Sequence, residues 1–248
     1  MLKDRVALVT GASRGMGAAT ARLLAAHGAA VAVNYLKNRE AGEKVVREIE
    51  EKGGRALLVQ GDVTVQSEAE QVVHTTQQQL GPIDILVLNA NVEFRMKPFL
   101  VYSWEDFQRK VDNELKASFY CSQAVAAGMK ERRRGSIVAL SSGAAHRPKE
   151  GSVAHSVAKG AIEAFVRCLA VELGPSNVRV NTVAPGFTRT DATAGFPEHL
   201  KTAIAGGTPM GRVADPEDVA GVILSLVSDH TGFVTGTCVP VDGGVHLV

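Results

Sequence analysis

Short apolar runs alternate with longer stretches of helical periodicity along the whole chain. The runs are four to six residues long, which suits strands that are buried on both faces of a parallel sheet. They predict seven strands, at residues 6–9, 30–35, 56–60, 83–88, 136–140, 178–183 and 238–241. The segments between them predict helices at residues 18–26, 39–52, 67–80, 104–133, 152–173 and 216–227. This alternation predicts an α/β fold, a doubly wound parallel sheet with right-handed crossovers and helices on both faces.

The pattern indicates one domain that spans residues 1–248. A chain of 248 residues can bury a large core, and no internal repeat or linker interrupts it. Residues 188–211 lack strong periodicity and follow the end of a predicted strand. We expect this stretch to form a mobile lid over a substrate; the alternative is an ordinary surface loop.

Composition excludes several classes of function. The formal net charge of +1 gives no general argument for binding nucleic acid or a membrane surface. The first predicted strand begins too early to leave room for a signal peptide, and no apolar run approaches the length of a membrane span. Cys121, Cys168 and Cys238 lie far apart, so the sequence predicts no metal site and no redox pair. We therefore expect a reduced, cytoplasmic setting.

Three glycines separate the first predicted strand from the first predicted helix. Gly11, Gly15 and Gly17 allow a tight turn and a close approach of the backbone to a ligand. The helix that follows offers free N–H groups and a positive dipole end to a phosphate. Strand, glycine turn and helix in this order predict a dinucleotide-binding site.

The spacing T-G-x-x-x-G-x-G, from Thr10 to Gly17, resembles the short-chain dehydrogenase/reductase family. Within that family, the chain is most similar to the 3-oxoacyl-carrier-protein reductases, over almost its whole length. The ending Val241-Asp242-Gly243-Gly244 also resembles the family's ending. The resemblance implies a Rossmann fold, a homotetramer that packs through the long helix at 104–133 and the helix at 152–173, and a small-molecule or carrier-bound carbonyl substrate of acyl or polyketide type.

The resemblance also implies which residues contact the cofactor. No acid stands at the end of the second strand to bind the ribose hydroxyls of NAD, whereas Arg14 and Lys37 offer positive charge to a 2′-phosphate. The sequence therefore favours NADP(H); the alternative is that Lys37 is only a solvated surface residue. The implied contacts are Gly11, Ser13, Arg14, Gly15, Met16, Gly17, Asn34, Tyr35, Lys37, Asp62, Val63, Asn89, Ala90, Lys159, Pro185, Gly186 and Thr188.

The chain departs from the family pattern at three places. The N-N-A-G motif after the fourth strand reads Leu88-Asn89-Ala90-Asn91. The family's catalytic asparagine falls on Glu114, and the tyrosine of its Y-x-x-x-K motif falls on His155. Ser142 and Lys159 match the family's active-site serine and lysine. The candidate catalytic residues are therefore Ser142, His155, Lys159 and Glu114.

The charges around His155 determine what the histidine can do. Residues at i and i+4 share a helix face, so His155 and Lys159 should be neighbours, and the lysine charge would keep the imidazole neutral at pH 7. If Glu114 points towards Lys159, its charge offsets the ammonium and helps His155 to hold a proton. The two substitutions would then be a compensating pair; alternatively, both arose after catalysis was lost.

Three functions fit these residues. The first is an NADPH-dependent carbonyl reductase with His155 as proton donor. The second is an isomerase, dehydratase or cyclase that uses His155 and Glu114 for acid–base chemistry, and the third is a non-catalytic NADP-binding or assembly subunit. The run Arg132-Arg133-Arg134 could meet an acidic carrier protein, or it could be the solvated end of a helix.

Overall fold

The computed structural model describes residues 1–247 and contains a single seven-stranded sheet. Its strands are β1 Val6–Val9, β2 Ala30–Tyr35, β3 Arg55–Gln60, β4 Ile85–Leu88, β5 Gly135–Leu140, β6 Val178–Pro185 and β7 Cys238–Val241. Their order across the sheet is β3-β2-β1-β4-β5-β6-β7, and every neighbouring pair is parallel. The predicted doubly wound parallel sheet is confirmed.

Helices cover both faces of the sheet. They are α1 Gly15–Ala26, α2 Arg39–Glu50, α3 Gln66–Leu80, α4 Trp104–Arg132, α5 Val153–Leu173, α6 Asp191–Ala194, α7 Glu198–Gly206 and α8 Pro216–Val227. The six predicted helices are confirmed, with one notable difference at the start of α1. It begins at Gly15 rather than Ala18, so that Gly15 and Gly17 belong to its first turn.

Two apolar layers explain why the strands read as continuous apolar runs. In β1, Ala7 and Val9 face the layer that contains α1 and α8, whereas Leu8 faces the layer that contains α3, α4 and α5. In β5, Val138 faces the layer with α1 and α8, and Ile137 faces the layer with α3, α4 and α5. A strand that is covered on both faces has no solvent side, and therefore no alternating polar positions.

The stretch 188–211 is more ordered than its sequence indicates, because it contains α6 and α7. Neither helix has a buried residue, so neither needs the apolar periodicity by which a helix is predicted. Its role as a lid stays a prediction. Within residues 1–247, no helix combines the length and the apolar character that crossing a membrane would require.

Candidate active site

The strand order changes direction between β1 and β4, and the glycine turn lies at that point. Ligands of doubly wound sheets bind here, beyond the carboxyl ends of the strands. Gly11 and Gly15 have φ values of +60° and +55°, in the left-handed region that favours glycine. A Cβ atom on Gly17 would overlap Asn89 Nδ2 and lie 2.7 Å from the carbonyl oxygen of Gly11. The turn therefore requires these glycines.

Two asparagines hold the glycine turn from opposite sides. The Asn34 side chain accepts a hydrogen bond from the Gly11 N–H at 3.1 Å and donates to the carbonyls of Val59 and Gly61. Asn89 Nδ2 donates to the carbonyls of Thr10 and Gly11 at 2.9 and 3.0 Å. Asn34 is 2% exposed. Its side chain therefore supports the turn and does not face a ribose, contrary to the sequence interpretation.

Tyr35 is also buried, with its hydroxyl donating to Gln60 Oε1 at 3.4 Å. Its ring packs beside Gly42 of α2 and does not line the open edge of the sheet. Arg14 and Lys37, in contrast, are exposed, and among residues 1–247 neither forms an ion pair with an acidic side chain. The positive charge near the end of β2 is therefore free to meet an anion.

The N-terminus of α1 is open. Arg14 is its N-cap residue, but no side chain caps the helix, and no acidic residue lies in its first turn. The N–H groups of Gly15, Met16 and Gly17 lack acceptors within the helix, as at every α-helix start. Next to Ser13 in the turn, they form a site suited to a phosphate group.

The remaining implied cofactor residues lie at the carboxyl ends of β3, β4 and β6. Asp62 accepts hydrogen bonds from the N–H and hydroxyl of Thr64, and the adjacent Val63 is buried. The N–H groups of Asn89 and Ala90 both donate to the Thr10 hydroxyl at 3.0 Å. The Pro185-Gly186 turn packs against Asp242, and the Thr188 hydroxyl donates to the Gly186 carbonyl at 3.2 Å. The structure thus brings the predicted set to one edge of the sheet.

A buried carboxylate joins two lysines beside this edge. Glu114 Oε2 accepts from Lys159 Nζ at 2.8 Å, and Glu114 Oε1 accepts from Lys110 Nζ at 2.5 Å and from the Val92 N–H at 2.9 Å. Lys110, Glu114 and Lys159 are 1%, 2% and 4% exposed. The expectation that Glu114 points towards Lys159 is confirmed, but the sequence interpretation missed Lys110.

The two lysines differ in their remaining capacity to donate. Lys110 Nζ also donates to Asn91 Oδ1 and to the Val92 carbonyl, which accounts for all three of its protons. Lys159 Nζ donates to Glu114 and to the Leu140 carbonyl at 2.9 Å, so one of its three protons is left for a ligand. Only Lys159 can therefore serve both the buried network and a bound substrate or cofactor.

The network shifts the pKa values of its members. Burial alone would raise the pKa of Glu114, but the ammonium groups of Lys159 and Lys110 outweigh it and lower that pKa to about 2. Burial lowers the pKa of Lys110 to about 8, although Glu114 acts in the opposite direction. At pH 7 the three residues carry a net charge of +1, because two ammonium groups meet one carboxylate.

His155 lies against Phe94, with ring centroids 4.4 Å apart and ring planes 6° from parallel. Burial and the charges of Lys159 and Lys110 lower the pKa of His155 to about 4, with Glu114 opposing them. Its Nδ1 atom is buried and has no hydrogen-bond partner among residues 1–247. The imidazole is therefore neutral at pH 7. Glu114 does raise the pKa of His155, as the sequence interpretation expected, but burial and the two ammonium groups outweigh it, so the ring stays neutral.

Ser142 follows β5, and its hydroxyl oxygen accepts a hydrogen bond from the Ala144 N–H at 3.2 Å. The hydroxyl proton remains available to donate. Together with the neutral imidazole and the spare proton of Lys159, the site offers three uncharged or cationic donors and no free carboxylate. Such a site suits an oxygen atom that gains negative charge during a reaction.

Lys110 and Phe94 are the site residues that sequence reasoning missed. A signal existed for Lys110, since Lys110 and Glu114 stand at i and i+4 on a predicted helix. Phe94 lies in the irregular segment between β4 and α4, where no periodicity relates its position to His155.

The crowding around Gly17 leads to a testable prediction. We expect Gly17→Ala to lower the free energy of unfolding by roughly 1–3 kcal/mol, because a Cβ overlaps backbone that cannot move aside. Gly221→Ala in α8 is the matched control, since no atom lies within 4 Å of the position that its Cβ would take, and alanine there stabilises by up to roughly 1 kcal/mol. Urea unfolding of both variants compares them; equal effects would contradict the close packing of the turn.

The comparisons with known proteins agree with this architecture. A protein-family model described as enoyl-(acyl carrier protein) reductase matches residues 11–246. The chain is 40% identical to a 3-oxoacyl-(acyl-carrier-protein) reductase of Synechocystis sp. over 248 residues, which cover 99% of this chain and 98% of the relative. It is 37% identical to a 3alpha-hydroxysteroid dehydrogenase of Mediterraneibacter gnavus, with 99% and 98% of the two chains covered. The crystal structure of a blue fluorescent protein from a metagenomic library in complex with NADPH matches with a TM-score of 0.90 at 33% identity, covering 98% of each chain.

Proposed function

Because the chain belongs to the short-chain dehydrogenase/reductase family of oxidoreductases, we propose that it is an NADP(H)-dependent carbonyl reductase with His155 at the proton-transfer position. The observation that carries the proposal is the neutral imidazole of His155, held by Phe94 next to the buried lysines, because its ring N–H can donate a hydrogen bond to a carbonyl oxygen. The alternative of a non-redox acid–base enzyme has weaker support, because a histidine with a pKa of about 4 is neither a strong base nor a protonated acid at neutral pH.

Residues of the turn and of the end of β2 fit NADP(H). The uncapped start of α1 suits a diphosphate, and the exposed side chains of Arg14 and Lys37 suit an additional phosphate on the ribose. Such a cofactor supplies hydride when it is bound. The NADPH that is present in a related structure supports the same choice.

We expect NADPH to bind clearly more tightly than NADH, as measured by calorimetry. Hydrogen bonds to a charged group contribute roughly 1.5–3 kcal/mol, so Arg14→Ala or Lys37→Ala should weaken NADPH binding about tenfold or more. NADH, which lacks the 2′-phosphate, should bind these variants as it binds the wild type. Lys52→Ala is the control, because this exposed lysine follows the C-terminal end of α2. Equal affinities of the wild type for the two cofactors would contradict the assignment.

In the proposed reaction, this chain contributes donors to the carbonyl oxygen of the substrate. The His155 ring N–H and the Ser142 hydroxyl would donate hydrogen bonds to that oxygen and stabilise its negative charge as hydride arrives, and the alkoxide would then take its proton from solvent water. Lys159 would use its spare proton to hold a hydroxyl group of the cofactor or substrate, while Glu114 and the Leu140 carbonyl fix its position. Lys110 does not touch the substrate in this scheme; it positions Glu114.

The substrate class that we propose is a carbonyl compound, either a small molecule or a carrier-bound acyl group, as the names of the relatives suggest. The arginine run does not add support for a carrier protein. Arg132 and Arg133 donate to the carbonyls of Ile83 and Pro175 at 2.7 and 3.1 Å, and Arg134 pairs with Asp84 at 3.3 Å. These arginines anchor neighbouring loops and are not simply a solvated helix end.

Turnover of the cofactor separates this function from its alternatives. Oxidation of NADPH by the wild type with a panel of β-ketoacyl thioesters and diketones tests the proposal directly. Binding of NADPH without oxidation on any of these compounds would contradict it. A proton-exchange assay would then separate a non-redox enzyme from a non-catalytic subunit.

We also propose a homotetramer that packs through α4 and α5. Large apolar side chains on these helices support it, since Phe119, Val157 and Val171 are 46%, 45% and 78% exposed in the single chain. Light scattering should give about 105 kDa, four times the 26.2 kDa of one chain. Val171→Glu should reduce the assembled mass. A wild-type monomer at micromolar concentration would contradict the assembly.

A further inference from the structure

Three side chains of metal-binding type meet outside the proposed active site. His146 follows β5, Glu163 lies on α5 and Cys238 begins β7. His146 Nε2 lies 2.9 Å from Glu163 Oε1 and 3.8 Å from Cys238 Sγ, and the sulfur lies 3.5 Å from the same carboxylate oxygen. None of the three is among the residues assigned to the cofactor or to proton transfer. The cluster therefore requires its own explanation.

The distances between these atoms fit a tetrahedral metal ion. Bond lengths of about 2.0–2.1 Å to nitrogen and oxygen and about 2.3 Å to sulfur place ligand atoms about 3.3–3.6 Å apart around Zn²⁺. The three observed separations, 2.9, 3.5 and 3.8 Å, bracket that range. Small side-chain movements would therefore bring all three atoms into coordination distance of one ion.

The ligand types narrow the choice of metal. Thiolate and imidazole favour zinc and similar transition metals, whereas magnesium and calcium prefer sites made of oxygen atoms alone. Three protein ligands leave the fourth position of a tetrahedral ion open to water. The half-exposed side chain of His146 provides access from solvent.

Hydrogen bonds within the protein hold the Glu163 carboxylate in place. Glu163 is 5% exposed, and the Ser141 hydroxyl donates to its Oε1 atom at 2.5 Å. Burial raises the pKa of the Cys238 thiol to about 11, and the charge of Glu163 adds to that effect, although contacts with Thr182 and Arg167 oppose it. A divalent ion reverses this balance, because it binds the thiolate and displaces the proton.

We propose that His146, Glu163 and Cys238 form a binding site for Zn²⁺ or a similar transition-metal ion. On binding, the Cys238 thiol loses its proton to the buffer as the metal–sulfur bond forms, and Nε2 of His146 gives up the proton that it shares with Glu163 so that its lone pair can bind the ion. The ion would link the segment after β5 with α5 and β7. This proposal departs from the sequence expectation of no metal site, which rested on the spacing of the cysteines alone.

Cobalt provides the test, because a Co²⁺–thiolate bond gives a near-ultraviolet charge-transfer band. We expect metal-free protein to develop this band at one equivalent of Co²⁺ and to lose it when Zn²⁺ is added. Cys168→Ser, which alters an exposed cysteine, should keep the band, whereas Cys238→Ser should abolish it. Circular dichroism establishes that each variant is folded.

His146→Ala is the second variant, and its exposed position leaves the fold intact. We expect it to lower Zn²⁺ affinity at least tenfold in calorimetry, while NADPH affinity stays unchanged. No charge-transfer band in the wild type, or the same band in Cys238→Ser, would overturn the proposal. Unchanged Zn²⁺ affinity in His146→Ala would also overturn it, whatever the outcome for carbonyl reduction.

Discussion

Replacing His155 by phenylalanine should lower the rate of carbonyl reduction at least a hundredfold and leave NADPH affinity unchanged. Removing one hydrogen-bond donor from an oxygen that gains negative charge costs roughly 10²–10³-fold in rate. Phenylalanine keeps a flat ring for packing against Phe94 but removes both ring nitrogens. Stopped-flow or steady-state oxidation of NADPH gives kcat, and calorimetry gives the cofactor affinity. Turnover in His155→Phe equal to that of the wild type would exclude His155 from the reaction.

The variant His155→Tyr tests the electrostatics of the same position. The ammonium groups of Lys159 and Lys110 outweigh Glu114 at residue 155 and would lower the pKa of a phenol there, whereas burial would raise it. A phenol still gives up its proton more readily than the ring N–H of a neutral imidazole, so tyrosine should donate a proton without any change at Glu114. We expect His155→Tyr to turn over at least as fast as the wild type.

Replacing Glu114 by alanine should lower the free energy of unfolding by about 3–5 kcal/mol, because two lysines then stay buried without a carboxylate. For a chain of this size, the melting temperature would fall by roughly 6–20 °C. Glu131→Ala is the matched control, since Glu131 is an exposed residue of the same helix, α4. Calorimetric melting of the two variants measures the difference, and similar melting temperatures would contradict the importance of the buried network.

Acid should reduce the difference in unfolding free energy between the wild type and Glu114→Ala. The pKa of Glu114 is about 2 in the folded chain and 4.5 as the ordinary value, so the unfolded chain takes up the proton first as the pH falls. The stabilisation from the ionised carboxylate is complete above about pH 4.5 and is lost progressively towards pH 2. Unfolding at pH 7 and pH 3 should therefore show a smaller gap between wild type and Glu114→Ala at the lower pH. A constant gap would mean that the carboxylate does not act through its charge.

The two lysines also predict that substitutions at positions 110 and 114 have non-additive effects on stability. Glu114→Asn leaves Lys110 and Lys159 facing an uncharged amide, whereas Lys110→Met combined with Glu114→Asn removes one of the two buried charges. The double variant should therefore be more stable than Glu114→Asn alone, although each single change is destabilising. Additive effects on the melting temperature would show that the residues act independently.

The sheet could be predicted from the sequence because its central strands are buried on both faces. Such a strand has only apolar positions, as in Val6–Val9, and a glycine turn or a charged helix marks each end. The helices α6 and α7 could not be predicted in this way. They contain no fully buried residue, so they lack the apolar stripe by which a helix is predicted.

The candidate site was harder to predict because its residues act through long-range contacts. Asn34 stands where a ribose ligand was expected, yet its amide matches three backbone groups that only the folded turn brings together. His146, Glu163 and Cys238 are up to 92 positions apart in the chain, and only the packing of α5 against the sheet makes them neighbours. The types of the site residues indicated possible chemistry, but their burial in the fold determined their charge states and their hydrogen-bond partners.

The buried ion pair on α4 makes positions 110 and 114 depend on each other in any redesign of the site. An asparagine at position 114 would leave the ammonium groups of Lys110 and Lys159 in the interior with no counter-ion. Restoring the family's asparagine therefore calls for a second substitution at Lys110, a residue that does not touch the substrate in the proposed reaction.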